Sequence, residues 1–218
     1  MKVGTDGVLL AAWTRVKEES RILDVGTGNG VIALICAQRN ENAEIVGVEI
    51  LPGAAQDAEE NFKHSPWADR LSLVQGDFLT SPIRGTFDLI ISNPPFFTRS
   101  IPAADPARRF ARHDDSLPAE KFFMRCSDLL RERGRISVIF PKNMLRRWTI
   151  AADTCGLHPV RVCHVFTLPN RDSSRVMVEF ARFPAHETFM ESILVQSRTG
   201  EYSEPYKNLV REYYSIFD

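Results

Sequence analysis

The residues best suited to chemistry in this sequence are the run Asn93-Pro94-Pro95-Phe96. They directly follow an apolar segment, 87–92, that predicts a buried parallel strand, and ligands bind at the carboxyl ends of such strands in open α/β sheets. The two prolines stiffen the backbone and leave carbonyl acceptors without neighbouring N–H donors. One amide side chain, one fixed carbonyl and one aromatic face suit a planar base that carries an amine. A strand that ends in a simple proline turn is the alternative interpretation.

A glycine loop follows the first predicted strand, 21–25, and precedes an apolar helix. Its glycines let the backbone approach a ligand closely, although they could also be simple turn residues. The spacing Gly-x-Gly-x-Gly differs from the Gly-x-Gly-x-x-Gly of dinucleotide-binding folds, which makes NAD the weaker prediction. With its preceding acid, the loop resembles the first motif of class I S-adenosylmethionine-dependent methyltransferases, whose loop wraps the methionine part of the cofactor. The resemblance implies that S-adenosylmethionine is held by Asp24, Gly26, Thr27, Gly28 and Gly30.

Two acids at the ends of the next predicted strands strengthen this resemblance. Glu49 ends the strand 45–49, where its carboxylate can accept from both hydroxyls of the cofactor's ribose. Asp77 follows the strand 71–74, where its side chain can accept from the adenine amine while Phe78 packs on the ring. Each acid taken singly could instead cap a helix. Together with the glycine loop and Asn93 they give four matches at successive strand ends, which makes coincidence a poor explanation.

In this setting, residues 93–96 resemble the signature of amino-methyltransferases, which methylate the exocyclic amines of adenine or guanine and the amide of a protein glutamine. These nitrogens hold their lone pair in a π system, so they must move towards tetrahedral geometry to react. The resemblance implies that the Asn93 side-chain oxygen and the Pro94 carbonyl accept the amine protons and favour that geometry. Phe96 would stack on the base. The predicted catalytic residues are Asn93, Pro94, Pro95 and Phe96, with Asn93 also beside the cofactor.

Three segments, 2–10, 93–97 and 109–113, resemble the bacterial family of tRNA adenine N(6)-methyltransferases that modifies the adenine beside the anticodon of a valine tRNA. The match runs over nearly the whole chain. It implies that Thr5 and Asp6 lie against the methionine end of the cofactor, although both also suit the cap of a helix. Relatives usually begin earlier, so the chain looks shortened at its start.

A basic segment offers a way to hold tRNA. Residues 99–113 carry four arginines and a histidine against a single aspartate, and the segment begins where the target base would sit. Phe96 and Phe97 offer stacking for an extruded base, and a second basic group, 142–147, with Trp148 follows a later strand on the same edge. A solvated loop whose arginines pair with nearby acids is the alternative. The predicted substrate-binding residues are Phe97, Arg109, Arg112, His113 and Lys142.

The bulk composition limits the classes of protein. The chain has 218 residues, of which 44% are hydrophobic, and this suits a single domain spanning 1–218. A net charge of −1 excludes a protein held to nucleic acid mainly by its global field. The four cysteines and five histidines lack ligand spacing, so we expect buried thiols and no metal. With no membrane-spanning stretch and no signal pattern, we expect a cytoplasmic monomer without membrane contacts.

Three other functions stay open at this point. A guanine amino-methyltransferase of ribosomal RNA would use the same chemistry at Asn93. A protein-glutamine methyltransferase would not need the basic segment. A non-catalytic RNA-binding scaffold is the alternative of a different class, although the acids at 24, 49 and 77 and Asn93 argue against it.

These residues must be positioned by an α/β fold of the class I methyltransferase (Rossmann-like) type. The sequence predicts a seven-stranded, mostly parallel sheet with an antiparallel C-terminal hairpin and helices on both faces. Later predicted strands span 136–140, 160–168 and 175–183, with a short strand near 193–195. The predicted helices span 8–13, 31–39, 52–63, 118–131, 143–155 and 205–214, and Gly134 is expected to close the fourth.

Overall fold

The computed structural model describes residues 4–16, 21–95 and 117–214. Its strands are β1 (Arg21–Val25), β2 (Glu44–Glu49), β3 (Leu71–Gln75), β4 (Phe87–Ser92), β5 (Leu130–Pro141), β6 (His158–Phe166), β7 (Arg175–Ala181) and β8 (Phe189–Leu194). Its α-helices are α1 (Thr5–Trp13), α2 (Val31–Arg39), α3 (Pro52–His64), α4 (Ala119–Leu129), α5 (Leu145–Asp153) and α6 (Glu204–Val210). Short 3₁₀ turns span Ala68–Arg70, Lys142–Met144 and Arg211–Tyr213.

The described strands form one eight-stranded sheet in the order β3-β2-β1-β4-β5-β7-β6-β8. The strands β1 to β5 pair in parallel, and so do β6 and β8, whereas β7 runs antiparallel to both β5 and β6. This confirms the predicted class, a mostly parallel sheet with an antiparallel C-terminal hairpin, β6–β7, although β8 lies beyond the hairpin at the edge of the sheet. Because β6 and β8 point the same way as β1 to β5, the carboxyl ends of all strands except β7 share one edge of the sheet.

The predicted number of seven strands is wrong, because β8 adds an eighth. The sequence pattern indicated only a short strand near 193–195, whereas β8 begins at Phe189 and pairs with β6 along its full length. Phe189 and Met190 are 55% and 59% exposed. An edge strand with exposed apolar side chains lacks the continuous buried run that marks an inner parallel strand, so its first half is hard to recognise.

The predicted end of the fourth helix is also wrong. α4 ends at Leu129, and β5 begins at the next residue, so Gly134 lies within a strand and does not close the helix. Leu130 is buried and pairs with Phe87 at the start of β4, and the register then shifts before Arg135. A Cβ atom on Gly134 would lie 2.7 Å from the Leu130 side chain. The absence of a side chain at Gly134 therefore lets Leu130 pack at the irregular start of this strand.

Two hydrophobic clusters cover the two faces of the sheet. The first joins α1, α2 and α6 to apolar side chains of the central strands, including the fully buried Leu10, Ala33 and Ile91. The second is rich in aromatic rings from α4, α5, β5 and β7. Its ring pairs have centroids 4.9–5.5 Å apart, mostly edge-to-face or tilted, among Phe122, Phe123, Phe140, Trp148 and Phe180. Contacts of this kind stabilise a core beyond the area they bury.

A polar clasp fastens α1 to the edge strands. Arg161 of β6 donates from Nε and Nη2 to the two carboxylate oxygens of Glu191 in β8, at 2.9 and 3.2 Å. Its guanidinium lies 4.0 Å from the ring centroid of Trp13 at the end of α1, and Trp13 Nε1 donates to Glu191 at 2.7 Å. Arg161 is only 9% exposed, so its charge depends on these contacts.

We expect Glu191→Ala to lower the free energy of unfolding by about 2 kcal/mol, because it removes the acceptor shared by the Trp13 N–H and by Nε and Nη2 of the largely buried Arg161. Urea unfolding measures the change. Glu187→Ala, on an exposed position before β8, is the matched control and should change stability by less than about 0.5 kcal/mol. Equal effects of the two substitutions would contradict a structural role for the clasp.

Candidate active site

The glycine loop leaves β1 at the edge that carries the strand ends. Its backbone turns through left-handed conformations at Gly26, Gly28 and Gly30, with φ values of 70°, 60° and 86°. The N–H groups of Gly26 and Thr27 both donate to the carbonyl of Val48, at 2.9 and 3.0 Å, which ties the loop to β2. A side chain on Gly30 would collide with Phe62, whereas nothing lies within 4 Å of a Cβ on Gly26. The loop is thus packed on one side and open on the other.

Asp24 lies beneath this loop and is fully buried. Its Oδ2 accepts from Thr27 Oγ1 at 2.6 Å and from the Ala33 N–H at 3.2 Å, so it links the loop to the first turn of α2. Its Oδ1 has no hydrogen-bond partner among the described residues. Burial raises the pKa of Asp24 from 3.8 to about 7, although the bonds from Thr27 and Ala33 oppose the rise and the nearby charge of Glu49 adds to it.

Glu49 closes the loop from the neighbouring strand. It is the last residue of β2, and its carboxylate accepts from the Gly28 N–H and the Leu51 N–H, each at 2.9 Å. The side chains of Ile50 and Leu51 are 59% and 60% exposed beside it. This apolar surface was not among the predicted site residues, although two large apolar residues between a strand-end acid and Pro52 are a visible signal in the sequence.

Asp77 and Phe78 follow the end of β3. Asp77 Oδ1 accepts from the Leu79 N–H at 2.9 Å, so part of its side chain stabilises its own turn. The Gly76 N–H donates to the Glu49 carbonyl at 2.8 Å, which holds this turn beside the glycine loop. Phe78 is 5% exposed, and its ring centroid lies 5.8 Å from that of Phe122. The ring expected to pack on adenine therefore belongs to the core under the site.

Asn93 follows β4 directly, at the same edge. Val25 of β1 pairs with Ser92, so Asn93 lies one position beyond the strand pairing, as Gly26 does on β1. Asn93 is partly exposed, Pro94 is buried and Pro95 is exposed. The predicted residues Phe96, Phe97, Arg109, Arg112 and His113 lie outside the described residues.

The start of α1 lies against the same region. A Cβ atom on Gly7 would lie 3.5 Å from Ile32, so the first turn of α1 touches the first turn of α2. Neither Thr5 nor Asp6 caps the helix: the N-cap is Gly4, without a side-chain bond. The Asp6 carboxylate instead accepts from Arg175 at 2.9 Å, and Thr5 is exposed. The helix-cap alternative for these two residues is wrong.

The basic side chains of the second group are exposed, but its tryptophan is buried. Lys142 follows β5, and its Nζ lies 4.0 Å from the fully exposed Asp172, while Arg147 pairs with Glu120 at 3.5 Å. Trp148 is 3% exposed, and its ring stacks on Phe140 within the core. The expected grouping of Trp148 with the basic surface residues is therefore wrong, because its helix turns it inwards.

Cys36, Cys126 and Cys163 are buried, as predicted, and Cys155 is partly exposed. Burial raises the pKa of the Cys36 thiol to about 12. Across residues 4–16, 21–95 and 117–214, no cluster of three or more His, Cys, Asp or Glu side chains is arranged to hold a metal ion. Within the same ranges, no helix has both the length and the apolar character that crossing a bilayer requires.

Comparison with known proteins assigns the chain to a family. A family model described as methyltransferase small domain matches residues 3–151. A protein of Bacteroides thetaiotaomicron is 43% identical, over 98% of this chain and 90% of its own length. Proteins of Porphyromonas gingivalis and Aliivibrio fischeri are 40% and 39% identical, over 99% and 98% of this chain and 89% and 91% of their own. All three are named tRNA1(Val) (adenine(37)-N6)-methyltransferase.

Solved structures give the same fold at low identity. A predicted O-methyltransferase of Agrobacterium tumefaciens matches 95% of this chain and 96% of its own, with a TM-score of 0.69 and 18% identity. A TehB-like SAM-dependent methyltransferase of Corynebacterium glutamicum matches 83% and 89%, with a TM-score of 0.56 and 19% identity. These likenesses show the methyltransferase fold alone. The sequence relatives, matched over nearly their whole length, show more: the chain belongs to the tRNA1(Val) (adenine(37)-N6)-methyltransferase family, within the methyltransferase small domain class.

Proposed function

We propose that this chain transfers a methyl group from S-adenosylmethionine to the exocyclic N6 amine of adenine in tRNA, at adenine 37 of tRNA1(Val). The observation that carries the proposal is the position of Asn93, one residue beyond the pairing of β4 with β1 and therefore beside the glycine loop. Relatives about 40% identical over nearly the whole chain carry that name. We infer that the protein works in the cytoplasm as a monomer.

The residues around the loop fit S-adenosylmethionine. Asp24 Oδ1 is a buried carboxylate oxygen that accepts from no group in the described ranges, so it offers an acceptor to a donor at the glycine loop. The open side of Gly26 lets a ligand approach the backbone, and Ile50 and Leu51 offer an apolar surface next to Glu49. The cofactor-binding residues in this proposal are Thr5, Asp6, Asp24, Gly26, Thr27, Gly28, Gly30, Glu49 and Asp77, with Phe78 supporting them from the core.

The chain's own residues prepare the acceptor amine. When bound, S-adenosylmethionine supplies an electrophilic methyl group. The Asn93 side-chain oxygen and the Pro94 carbonyl accept the two hydrogens of the amine, which favours a tetrahedral nitrogen and aligns its lone pair. A nitrogen that has gained a methyl group is acidic, so its proton can leave through Asn93 or to water without a strong base. Pro95 keeps this backbone rigid, and Phe96 stacks on the base.

RNA contacts must come from local groups, because the net charge is only −1. We assign phosphate contacts to Arg109, Arg112, His113 and Lys142, and base stacking to Phe97. Lys142 supports this assignment by its position directly after β5, at the edge that also carries Asn93. Its ion pair with the fully exposed Asp172 spans 4.0 Å and is weak enough to exchange for a phosphate.

Methylation assays with matched transcripts test the function. The protein and labelled S-adenosylmethionine are incubated with a tRNA1(Val) transcript, with the same transcript carrying guanine at position 37, with ribosomal RNA and with a release factor. Label in the first transcript alone, recovered as N6-methyladenosine by nucleoside mass analysis, is the expected result. Label in ribosomal guanine or in protein glutamine would favour the two rival enzymes, and no label together with no calorimetric binding of the cofactor would favour a non-catalytic scaffold.

We expect Asn93→Ala to lower kcat at least about 100-fold while the dissociation constant of S-adenosylmethionine changes less than about threefold, because the lost oxygen orients the acceptor amine. Steady-state kinetics and calorimetry measure the two quantities. Asn208→Ala, an exposed asparagine on α6, is the control and should match the unaltered protein. An Asn93→Ala variant with normal kcat would exclude the proposed role of Asn93.

Asp24→Asn should change the pH dependence of stability. The pKa of Asp24 is raised to about 7 in the folded chain. The protonated carboxyl group therefore makes its full contribution to the free energy of unfolding below about pH 4, and this contribution is lost as the pH rises through 7. The variant lacks this loss, so its stability relative to the unaltered protein should rise by on the order of 2 kcal/mol between pH 5 and 8. Urea unfolding at each pH measures it, with the exposed Asp69→Asn as control. A flat difference would show that Asp24 ionises normally.

The basic segment makes a separate prediction. Replacing Arg109 and Arg112 together by alanine should weaken tRNA binding and reduce the slope of log K against log salt by about 1.5 to 2, with cofactor affinity unchanged. Filter binding at several salt concentrations measures the slope. The double control, Arg84→Ala with Arg133→Ala, removes two exposed arginines at the opposite edge of the sheet. If both double variants bind tRNA with equal slopes, the segment is not a phosphate-binding site.

A further inference from the structure

Ser92 is the last residue of β4 and precedes Asn93 directly. Its side chain is fully buried, so neither solvent nor substrate reaches it. Its Oγ donates a 2.8 Å hydrogen bond to the carbonyl of Val25, the last residue of β1. The hydroxyl therefore connects the ends of the two strands that carry the glycine loop and the amine-binding residues.

The bond reaches the peptide group that opens the glycine loop. The carbonyl of Val25 and the N–H of Gly26 belong to one planar peptide unit. Its carbonyl accepts from Ser92, and its N–H donates to the carbonyl of Val48 in β2 at 2.9 Å. The unit is thus held from both neighbouring strands, and its orientation fixes the direction in which the loop leaves the sheet.

We propose that Ser92 is a positioning residue that fixes the glycine loop relative to Asn93. This inference rests on the proposed function, in which the loop holds the methyl donor and Asn93 holds the acceptor amine. Asn93 is bonded to Ser92, and Gly26 is bonded to Val25, so one hydrogen bond joins the two sides of the reaction. Methyl transfer needs donor, carbon and acceptor in line, and a misplacement of about 1 Å can lower the rate by about 100-fold.

The chain offers a closely matched control in Ser137. It lies on β5, next to β4, and its register partner is Ile91. It is also fully buried, but its Oγ has no hydrogen-bond partner within the described ranges. Ser92→Ala and Ser137→Ala therefore remove the same atom at the same depth from neighbouring strands, and only the first breaks a bond.

Two measurements test the role of Ser92. Hydrogen exchange of the cofactor-free protein, read on peptides covering residues 22–31, should be about tenfold faster at Gly26 and Thr27 in Ser92→Ala, since their peptide groups lose support from β4. Steady-state methylation should show kcat lowered about tenfold, with the KM values for S-adenosylmethionine and tRNA within about twofold. Ser137→Ala should match the unaltered protein in both. If Ser92→Ala does not fold, Ser92→Cys takes its place. Its thiol keeps the size and a weak donor, so it should show faster exchange and a lower kcat than the unaltered protein, both by less than about tenfold.

The outcomes separate this inference from the proposed function. Exchange and kcat in the Ser92 variants equal to those of Ser137→Ala would overturn the positioning role. A raised KM with unchanged kcat would overturn it as well, because a binding effect is not an alignment effect. If Ser92→Ala exchanges faster at Gly26 but neither this variant nor the unaltered protein methylates tRNA, the proposed function is refuted. The coupling between the loop and β4 would then still hold.

Discussion

The candidate site depends on one constraint, the parallel pairing of β1 with both of its neighbours. Val25 pairs with the residue before Glu49 on one side and with the residue before Asn93 on the other. The next residues along the three strands are therefore the first loop glycine, the acid and the amide. Since neighbouring strands lie about 4.8 Å apart, all three groups fall within about 10 Å. Sheet register, and no local sequence preference, brings them together.

This arrangement has a cost in stability that the rest of the fold offsets. A carboxyl group without water, one oxygen of which has no partner in the described part of the chain, is unfavourable when charged. Asp24 nevertheless lies near the end of the inner strand β1, where Thr27 and the start of α2 hold it. The clasp at Arg161 lies away from this edge, and the aromatic cluster around Phe122 lies in the core beneath it. Both can supply the stability that the site gives up.

The sequence predicted the central elements best, for a physical reason. β1, α2 and β4 have the predicted limits, because each is a short apolar run with a loop glycine or Asn93-Pro94 directly at one end, and the inner elements of a parallel α/β sheet need such runs. The edges were harder. β8 was underestimated since an edge strand need not be apolar throughout, and the start of β5 was missed because Gly134 has the same sequence signature in an irregular strand as after a helix.

The side-chain environment of the site was less predictable than its backbone. Phe78 and Trp148 both stand next to residues expected to bind ligands, yet both rings lie in the core. An aromatic residue at the end of an element can turn to either side, and only the packing of another element, here α4 and β5, decides between them. Hydrogen bonds between strands, such as that from Ser92 to Val25, have no local signature at all.

The division between chemistry and selectivity follows from the same geometry. An amide oxygen and a proline carbonyl can accept from any planar amine, so Asn93 and Pro94 do not by themselves distinguish adenine, guanine or a glutamine amide. The rigid edge of β1, β2 and β4 can fix only the reaction class. Under the proposed function, selection of the base and of the RNA then depends on groups that meet the rest of the substrate, a role that we assign to the charged and stacking residues beyond β4.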